Sequence, residues 1–250
     1  MDPSRKRREV WKFISFAMIL SSIFMIYPIL YSIYLSLHTM QGLQSVFVGL
    51  GNYVRMFQDT IFHKALFNNF VFLIFQVPIM VFLGLLLAFV LNTPKLVGRT
   101  FFKLALFLPS VTSLVSYAVL FKMMFQIGGI INRGLLAIGI IQQPLEWLNS
   151  PFWAKVTVII ALCWRWTGYN MIFYLAGLQN ISDDTLEAAD IDGANSFQKF
   201  FRIIIPQLKP VIVFTTITST IGTIQLFDEV VNLTGGGPSN ATLTAAQLIY

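Results

Sequence analysis

The chain has 250 residues, 56% of them apolar and only 11% charged, with 24 Phe against 11 acidic residues. Soluble domains carry roughly 25% charged residues, so this composition, with a mean hydropathy of +0.72, excludes a water-soluble globule, as well as disorder, collagen and coiled coil. A single cysteine, Cys163, excludes an intramolecular disulfide framework and a Cys-rich metal site.

A bilayer core about 30 Å thick requires roughly 20 apolar residues in helical form, because lipid satisfies no open backbone group. The sequence predicts five such spans in an all-α, polytopic chain. The first covers residues 13–37. Its uncharged run is far longer than the roughly 7–15 residues of a signal h-region, and no small-x-small cleavage site follows, so it reads as an anchor that stays, behind a short N-terminal segment, 1–12. The second covers 70–91 within the longer apolar stretch 65–94. The third covers 104–125, with Lys122 snorkelling to the interface. The fourth, 156–178, is interrupted only by Arg165. The fifth, 211–230, is polar for a span, but its Thr and Ser hydroxyls can bond back to their own helix or across to a neighbour.

Orientation follows from Lys and Arg. An N-terminus on the cytoplasmic side places Arg5, Lys6, Arg7, Arg8, Lys12, Lys95, Arg99, Lys103, Lys199, Arg202 and Lys209 inside. It leaves Arg55, Lys64 and Arg133 in outer loops, with Lys122 and Lys155 near the outer edge. This asymmetry accounts for the net charge of +6 without nucleic acid.

The inner loop 179–209 is unlike the rest of the chain. It holds Asp183, Asp184, Glu187, Asp190 and Asp192. Asp184 suits the N-cap of a short helix, with Glu187 reaching back as in a capping box. Gly193 suits the left-handed residue that ends it. Asn195 or Ser196 then caps a second helix, in which Phe197, Phe200, Phe201, Ile204 and Ile205 form one apolar face. Pro206 and Pro210 punctuate the return to the membrane. Ala188, Ala189 and Ala194 leave the first helix slim enough to enter a groove on another protein; a well-capped, solvated surface helix is the equally weighted alternative on physics alone.

The run Glu187-Ala188-Ala189-Asp190-Ile191-Asp192-Gly193-Ala194, followed by Ile205-Pro206 and Pro210, resembles the EAA loop of inner-membrane permease subunits of ABC importers. The extended Ile-Asp-Gly-Ala form resembles the carbohydrate-uptake branch. Tyr27-Pro28, Gly49-Leu50-Gly51-Asn52-Tyr53 and Phe227-Asp228 with Leu233-Thr234-Gly235-Gly236-Gly237-Pro238 are similar to that branch in the same order. Ser182 stands where the family often has Pro. The resemblance implies an ABC importer type I transmembrane domain over 13–250, with a sixth span expected beyond Tyr250. It implies a permease subunit that imports a sugar or related polyol in a bacterial or archaeal plasma membrane. The implied partners are a dimer of ABC ATPases that binds ATP and Mg, a second homologous permease forming a heterodimer, and an extracytoplasmic solute-binding protein. Glu187, Ala188, Ala189, Asp192, Gly193, Ala194 and Pro206 are the implied ATPase-coupling residues.

The residues themselves agree with a transport subunit rather than an enzyme. No Gly-x-x-x-x-Gly-Lys-Ser/Thr occurs in the sequence, so ATP binding through a P-loop is assigned to a separate subunit. No catalytic triad, paired catalytic carboxylates or metal-ligand cluster is seen; His38 and His63 have no companions. A secondary transporter would want mid-span carboxylates, and none lies there; a permease for a non-sugar solute is the other alternative. Arg165 in mid-span must face protein or water. A structural pairing with a neighbouring helix is the favoured role. The alternative is that Arg165, Trp166, Tyr169 and Asn170 together contact solute in the pathway. Asp228 and Glu229 read as interfacial.

Overall fold

The computed structural model describes residues 3–42, 44–93 and 96–250, the side chains of 3–10, 41, 183, 186 and 190 excepted. Pro94 and Lys95 therefore lie outside the described residues, as do the side chains of Arg5, Lys6, Arg7, Arg8, Asp183 and Asp190. The chain forms two units, one up to Thr60 and one over Ile61–Tyr250.

The first unit runs from helix α1 (Pro3–Ser21) through a π turn (Ser22–Ile26) into α2 (Tyr27–Ser36). The wide turn has a local cause. Pro28 has no N–H, and its ring crowds the carbonyl four residues back; Tyr27 instead bonds five residues back, to Ser22 O, which opens the turn ahead of the ring. A short hairpin follows, β1 (His38–Gln41) against β2 (Gln44–Phe47), with His38 opposite Phe47. Helix α3 (Gly51–Gln58) is tied back to the end of α2: Asn52 donates to Ser36 O and His38 O at 2.9 and 2.7 Å, and Tyr53 OH lies 2.8 Å from Ser36 Oγ. The Gly-Leu-Gly-Asn-Tyr segment is thus an anchor for the loop, with Gly49 supplying a left-handed turn (φ +54°).

The second unit is a helical bundle. Helix α4 (Thr60–Asn92) buries a stripe that includes Ala65, Phe72, Met80, Ala88 and Leu91. Then come α5 (Arg99–Val111), α6 (Leu114–Phe125), α7 (Ile130–Ala137) and α8 (Pro151–Leu178). The loop between α8 and the next long helix holds α9 (Asp183–Ile191), α10 (Ser196–Lys199), a second π turn (Phe200–Ile204) and α11 (Ile205–Gln207). Helix α12 (Lys209–Ile224), α13 (Asp228–Leu233) and α14 (Ala245–Ile249) complete the unit. One core gathers Phe72, Phe121, Phe125, Trp147, Leu162 and Val230. A second, near the loop, gathers Leu85, Ala88, Met171, Leu178, Phe200, Ile204 and Leu208. Gly168 lets α8 touch α5: a Cβ there would collide with the Leu106 carbonyl.

Among the described residues, Trp11–Ser36, Thr60–Asn92, Leu114–Ala137 and Pro151–Leu178 are long and apolar enough to cross a membrane; Ser196–Gln207 and Lys209–Ile224, bent by 72°, make a fifth if taken together. Two predicted spans are corrected. The run 104–125 is not one helix: Thr112 and Ser113 are extended (ψ 150° and 134°), separating α5 from α6. Pro109, in the last turn of α5, removes one bond from a helix end that is already short of partners. The run 211–230 also divides, because α12 stops at Ile224 and α13 starts again at Asp228. At that end Asn69 Nδ2 donates to Thr223 O and Ile224 O, both at 3.2 Å, taking the place of the next helical turn.

The loop also departs from expectation. Helix α9 begins at Asp183, so Asp184 lies inside it and is not its cap; Ser182 precedes it, with Oγ 2.7 Å from Thr185 Oγ1. The reciprocal capping box sits one helix later, between Asn195 and Gln198, whose two bonds are 2.8 and 2.9 Å. Nor do the five apolar residues of the second helix share one face. Phe200 and Ile204 are buried, while Phe197 and Phe201 are exposed. Pro206 is the physical reason. As at Pro28, a π turn precedes it, with Ile205 bonding five residues back to Phe200 O; the extra residue in that turn rotates one side of the helix relative to the other.

Candidate functional site

Mid-bundle, α4, α8 and α12 enclose a cavity of about 460 Å³. Helix α4 contributes Gln76 and Met80; α8 contributes Leu162, Trp166, Tyr169 and Asn170; α12 contributes Thr218, Ser219, Gly222 and Thr223, with Leu226 and Glu229 closing one end. Tyr169, Thr218 and Gly222 are exposed, so the cavity opens on one side.

The helices around it are joined by side-chain hydrogen bonds at one-turn intervals along α12. Tyr174 OH and Thr215 Oγ1 are 2.6 Å apart, Asn170 Nδ2 donates to Ser219 Oγ at 3.5 Å, and Thr223 Oγ1 donates to Gln76 Oε1 at 3.4 Å. Thr215, Thr218 and Thr223 also bond back to their own helix. The hydroxyls that made α12 look polar for a span therefore serve both purposes. Aromatic rings continue along α8: Trp166 meets Tyr169 edge-on at 5.8 Å, Tyr169 meets Phe173 at 5.1 Å, and Phe173 meets Phe214 at 5.6 Å.

The candidate quartet divides. Trp166, Tyr169 and Asn170 line the cavity, whereas Arg165 does not. Arg165, 6% exposed, lies over the Tyr117 and Trp166 rings at 5.2 and 5.4 Å, and its Nη2 donates to Thr112 O at 3.1 Å. That carbonyl stands at the break between α5 and α6, so the arginine satisfies a backbone group that the broken helix leaves open.

The sequence suggests an interfacial role for Glu229 and gives no sign that it lines the cavity. Its Oε1 accepts from Trp166 Nε1 at 3.3 Å, which brings a carboxylate to the cavity wall. A pairing across 63 positions leaves no trace in helical periodicity; a useful signal was a carboxylate adjoining an apolar span. Gln76 was missed likewise, as one amide in an otherwise apolar run.

The loop forms the second part of the site. Gly193 has φ +77°, and Ala194 N donates to Ala189 O at 2.9 Å, closing α9 with a 6→1 bond of Schellman type. Ala189 is buried, while Glu187, Ala188, Asp192 and Gly193 are exposed. Pro206 lies in α11, after the π turn. Ile191 was not singled out from sequence, yet it is 87% exposed, and Phe197 beside the same turn is 69% exposed. Phe200, Ile204 and Leu208 pack on Leu175, Leu178 and Ile181 and on Leu85, Ala88 and Leu91, with Phe200 5.1 Å from Phe89. The loop is thus fastened to the same two helices, α4 and α8, that line the cavity.

Residues 62–250 match the family described as binding-protein-dependent transport system inner membrane component. The lactose transport system permease protein of Rhizobium radiobacter is 56% identical over 242 residues, covering 96% of this chain and 81% of that protein. Among solved structures, a bacterial ABC transporter that imports the acidic polysaccharide alginate superposes with a TM-score of 0.83 at 22% identity, over 98% of this chain and 84% of that one. A bacterial alginate ABC transporter in complex with an alginate pentasaccharide-bound periplasmic protein gives 0.79 at 22% identity, over 96% of this chain and 80% of that one. The two structures share the predominantly helical fold of an ABC importer transmembrane domain with this chain. The chain belongs to the binding-protein-dependent transport system inner membrane component family, as a multi-pass permease subunit rather than an enzyme.

Proposed function

We propose that the chain forms part of the membrane pathway of an ATP-driven importer for a sugar or related polyol, and that it couples to a separate ATPase through α9 and the turn at Gly193. Relatives support the solute class, since the 56% identical protein is named for lactose transport. The observation that carries the mechanism is the shared use of α8. Trp166, Tyr169 and Asn170 line the cavity, and further along the same helix Leu175 and Leu178 hold Phe200 and Ile204 of the loop. A displacement of the loop would therefore be passed to the cavity walls as movement of packed helices.

In this reading the exposed face of Glu187, Ala188, Ile191 and Asp192 enters a groove on a cytoplasmic ABC ATPase. ATP and Mg bind on that ATPase dimer, not on this chain. The N-terminus is cytoplasmic, a second, homologous permease completes the pathway as a heterodimer, and an extracytoplasmic binding protein delivers the solute. ATPase closure would move the loop and switch access to the cavity from one side of the membrane to the other. The test is affinity purification of the tagged chain from its native membrane. The expected result is co-purification of an ABC ATPase, with ATP hydrolysis in the purified fraction; recovery of the chain without an ATPase would contradict the proposal.

A further inference from the structure

Glu229 is the one formally charged side chain among the described residues that line the cavity. Its Oε1 is held by Trp166 Nε1, which leaves Oε2 for a ligand. Beside it the wall offers neutral donors and acceptors: Gln76, Tyr169, Asn170, Ser219 and Thr223. Asn170 is 2% exposed, and its Oδ1 has no hydrogen-bond partner, so a buried acceptor is also left for a donor to fill. A cavity with two such acceptors and the edge-on pair Trp166 and Tyr169 suits a solute that donates several O–H groups and presents a C–H face to aromatic rings.

The same wall is unsuited to an anion. A carboxylate, sulfonate or phosphate entering the cavity would meet Glu229 without a lining cation to offset it. Arg165 lies outside the lining, over the Tyr117 and Trp166 rings; its Nη2 donates to Thr112 O, and its Nε and Nη1 are buried without a hydrogen-bond partner. Like charges a few ångströms apart in a partly desolvated site repel strongly enough to change binding by about tenfold or more.

We infer that Glu229 is a specificity-determining residue: it accepts hydroxyl donors from an uncharged glycoside and makes this cavity reject anionic sugars such as uronates. The inference rests on the reading of the cavity as a sugar site. It adds a selection step within the membrane, independent of whatever selection an extracytoplasmic binding protein makes.

The test is equilibrium binding to the purified, detergent-solubilised transporter with no binding protein present. Two probes of matched shape are compared: lactose, and the analogue with a carboxylate in place of its 6′-hydroxymethyl group. The wild-type protein is expected to prefer lactose by about tenfold. Glu229→Gln retains an oxygen that accepts from Trp166 Nε1. It should raise affinity for the carboxylate probe about tenfold and weaken that for lactose by about threefold or more, because a neutral amide replaces a charged acceptor, so that the preference for lactose is lost, whereas Glu229→Asp should keep the discrimination. Equal wild-type affinity for the two probes, or an unchanged ratio in Glu229→Gln, would overturn the inference while leaving the cavity a sugar site. Failure of both probes to bind the wild-type protein would instead overturn the sugar-site reading, and this inference with it. The wild-type comparison decides the matter even if Glu229→Gln does not fold.

Discussion

Arg165 Nη2 donates to the carbonyl oxygen of Thr112 at 3.1 Å, across 53 positions of sequence. The bond accounts together for a charged residue inside an apolar helix and a break inside another apolar run. Neither is comfortable alone. An arginine at mid-span costs at least about 2.5 kcal/mol on insertion scales, and an open carbonyl in hydrocarbon costs several kcal/mol more. The bond gives the carbonyl a donor and the guanidinium one acceptor, with Tyr117 and Trp166 against it, while Arg165 Nε and Nη1 are buried without a hydrogen-bond partner.

Arg165→Ala is therefore expected to loosen the α5–α6 break and lower stability by about 1 to 3 kcal/mol. Thermal unfolding in detergent measures the loss, and thiol labelling of Ser113→Cys, with and without Arg165→Ala, reports the loosening. Arg165→Lys should recover only part of it, because an ammonium lacks the planar group that lies across two rings. Unchanged unfolding and labelling in Arg165→Ala would show that the break holds itself.

Two glycines give a paired test of helix approach. A Cβ at Gly168 would strike the Leu106 carbonyl, whereas a Cβ at Gly222 meets nothing within 4 Å. Gly168→Ala should force α5 and α8 apart at a cost of about 3 kcal/mol, read as a lower unfolding midpoint or reduced membrane yield. Gly222→Ala should stay within about 0.5 kcal/mol of the parent. Equal behaviour of the two variants would contradict the close contact.

Asn69 joins three segments. Its Nδ2 donates to Thr223 O and Ile224 O, and its Oδ1 accepts from Ala245 N at 2.9 Å. Beside it, Asn68 donates to Asn240 O and Leu243 O, and Lys64 to Ser239 O at 2.6 Å. Asn69→Ala removes the groups that finish α12, and a loss of about 2 to 3 kcal/mol is expected. Asn69→Asp, which keeps the acceptor and loses the donors, should be no better. Proteolysis within 234–245 should speed up in both variants; resistance equal to that of the parent would mean the segment is held by other contacts.

The exposed face of the loop can be probed with a single thiol, because Cys163 is buried and contributes little background. Ile191→Cys should cross-link to a co-purified ATPase through a short bifunctional reagent. The same thiol placed at Ala189, which is buried, should not. Cross-linking from Ala189 and none from Ile191 would place the partner on the other side of α9.

Much of the architecture was legible because it is local. Apolar length marks the spans, Gly193 marks the left-handed turn, and Asn195 was one of two residues that suited the cap of the second helix. What sequence reading misplaced depends on competition within a turn. Ser182 and Asp184 are both good cap residues, and spacing alone does not choose between them. A π turn precedes Pro206, and helical spacing does not show that Phe200 and Ile204 are buried while Phe197 and Phe201 are exposed. The break at Thr112–Ser113 was passed over because the run there carries no charge; Pro109, Ser110, Thr112 and Ser113 mark it in the sequence, while its stabilising partner lies on another helix. In the cavity, Trp166, Tyr169 and Asn170 share a helix face and could be grouped by spacing. Gln76 and Glu229 come from other helices and join them only through packing.

In the proposed mechanism the loop transmits ATP-driven movement to a solute cavity in the same chain. The most direct measurement is ATP-dependent uptake of labelled lactose, a neutral oligosaccharide, into proteoliposomes holding the complete transporter, with wild-type chain, Gly193→Asp or Glu187→Lys. A non-glycine residue at φ +77° costs about 1 to 2 kcal/mol, and Glu187 is exposed, so neither change should prevent membrane insertion. The account predicts equal amounts of inserted protein with uptake reduced by about tenfold or more, equivalent to about 1.4 kcal/mol or more of lost coupling. Normal uptake by both variants at equal protein level would contradict it.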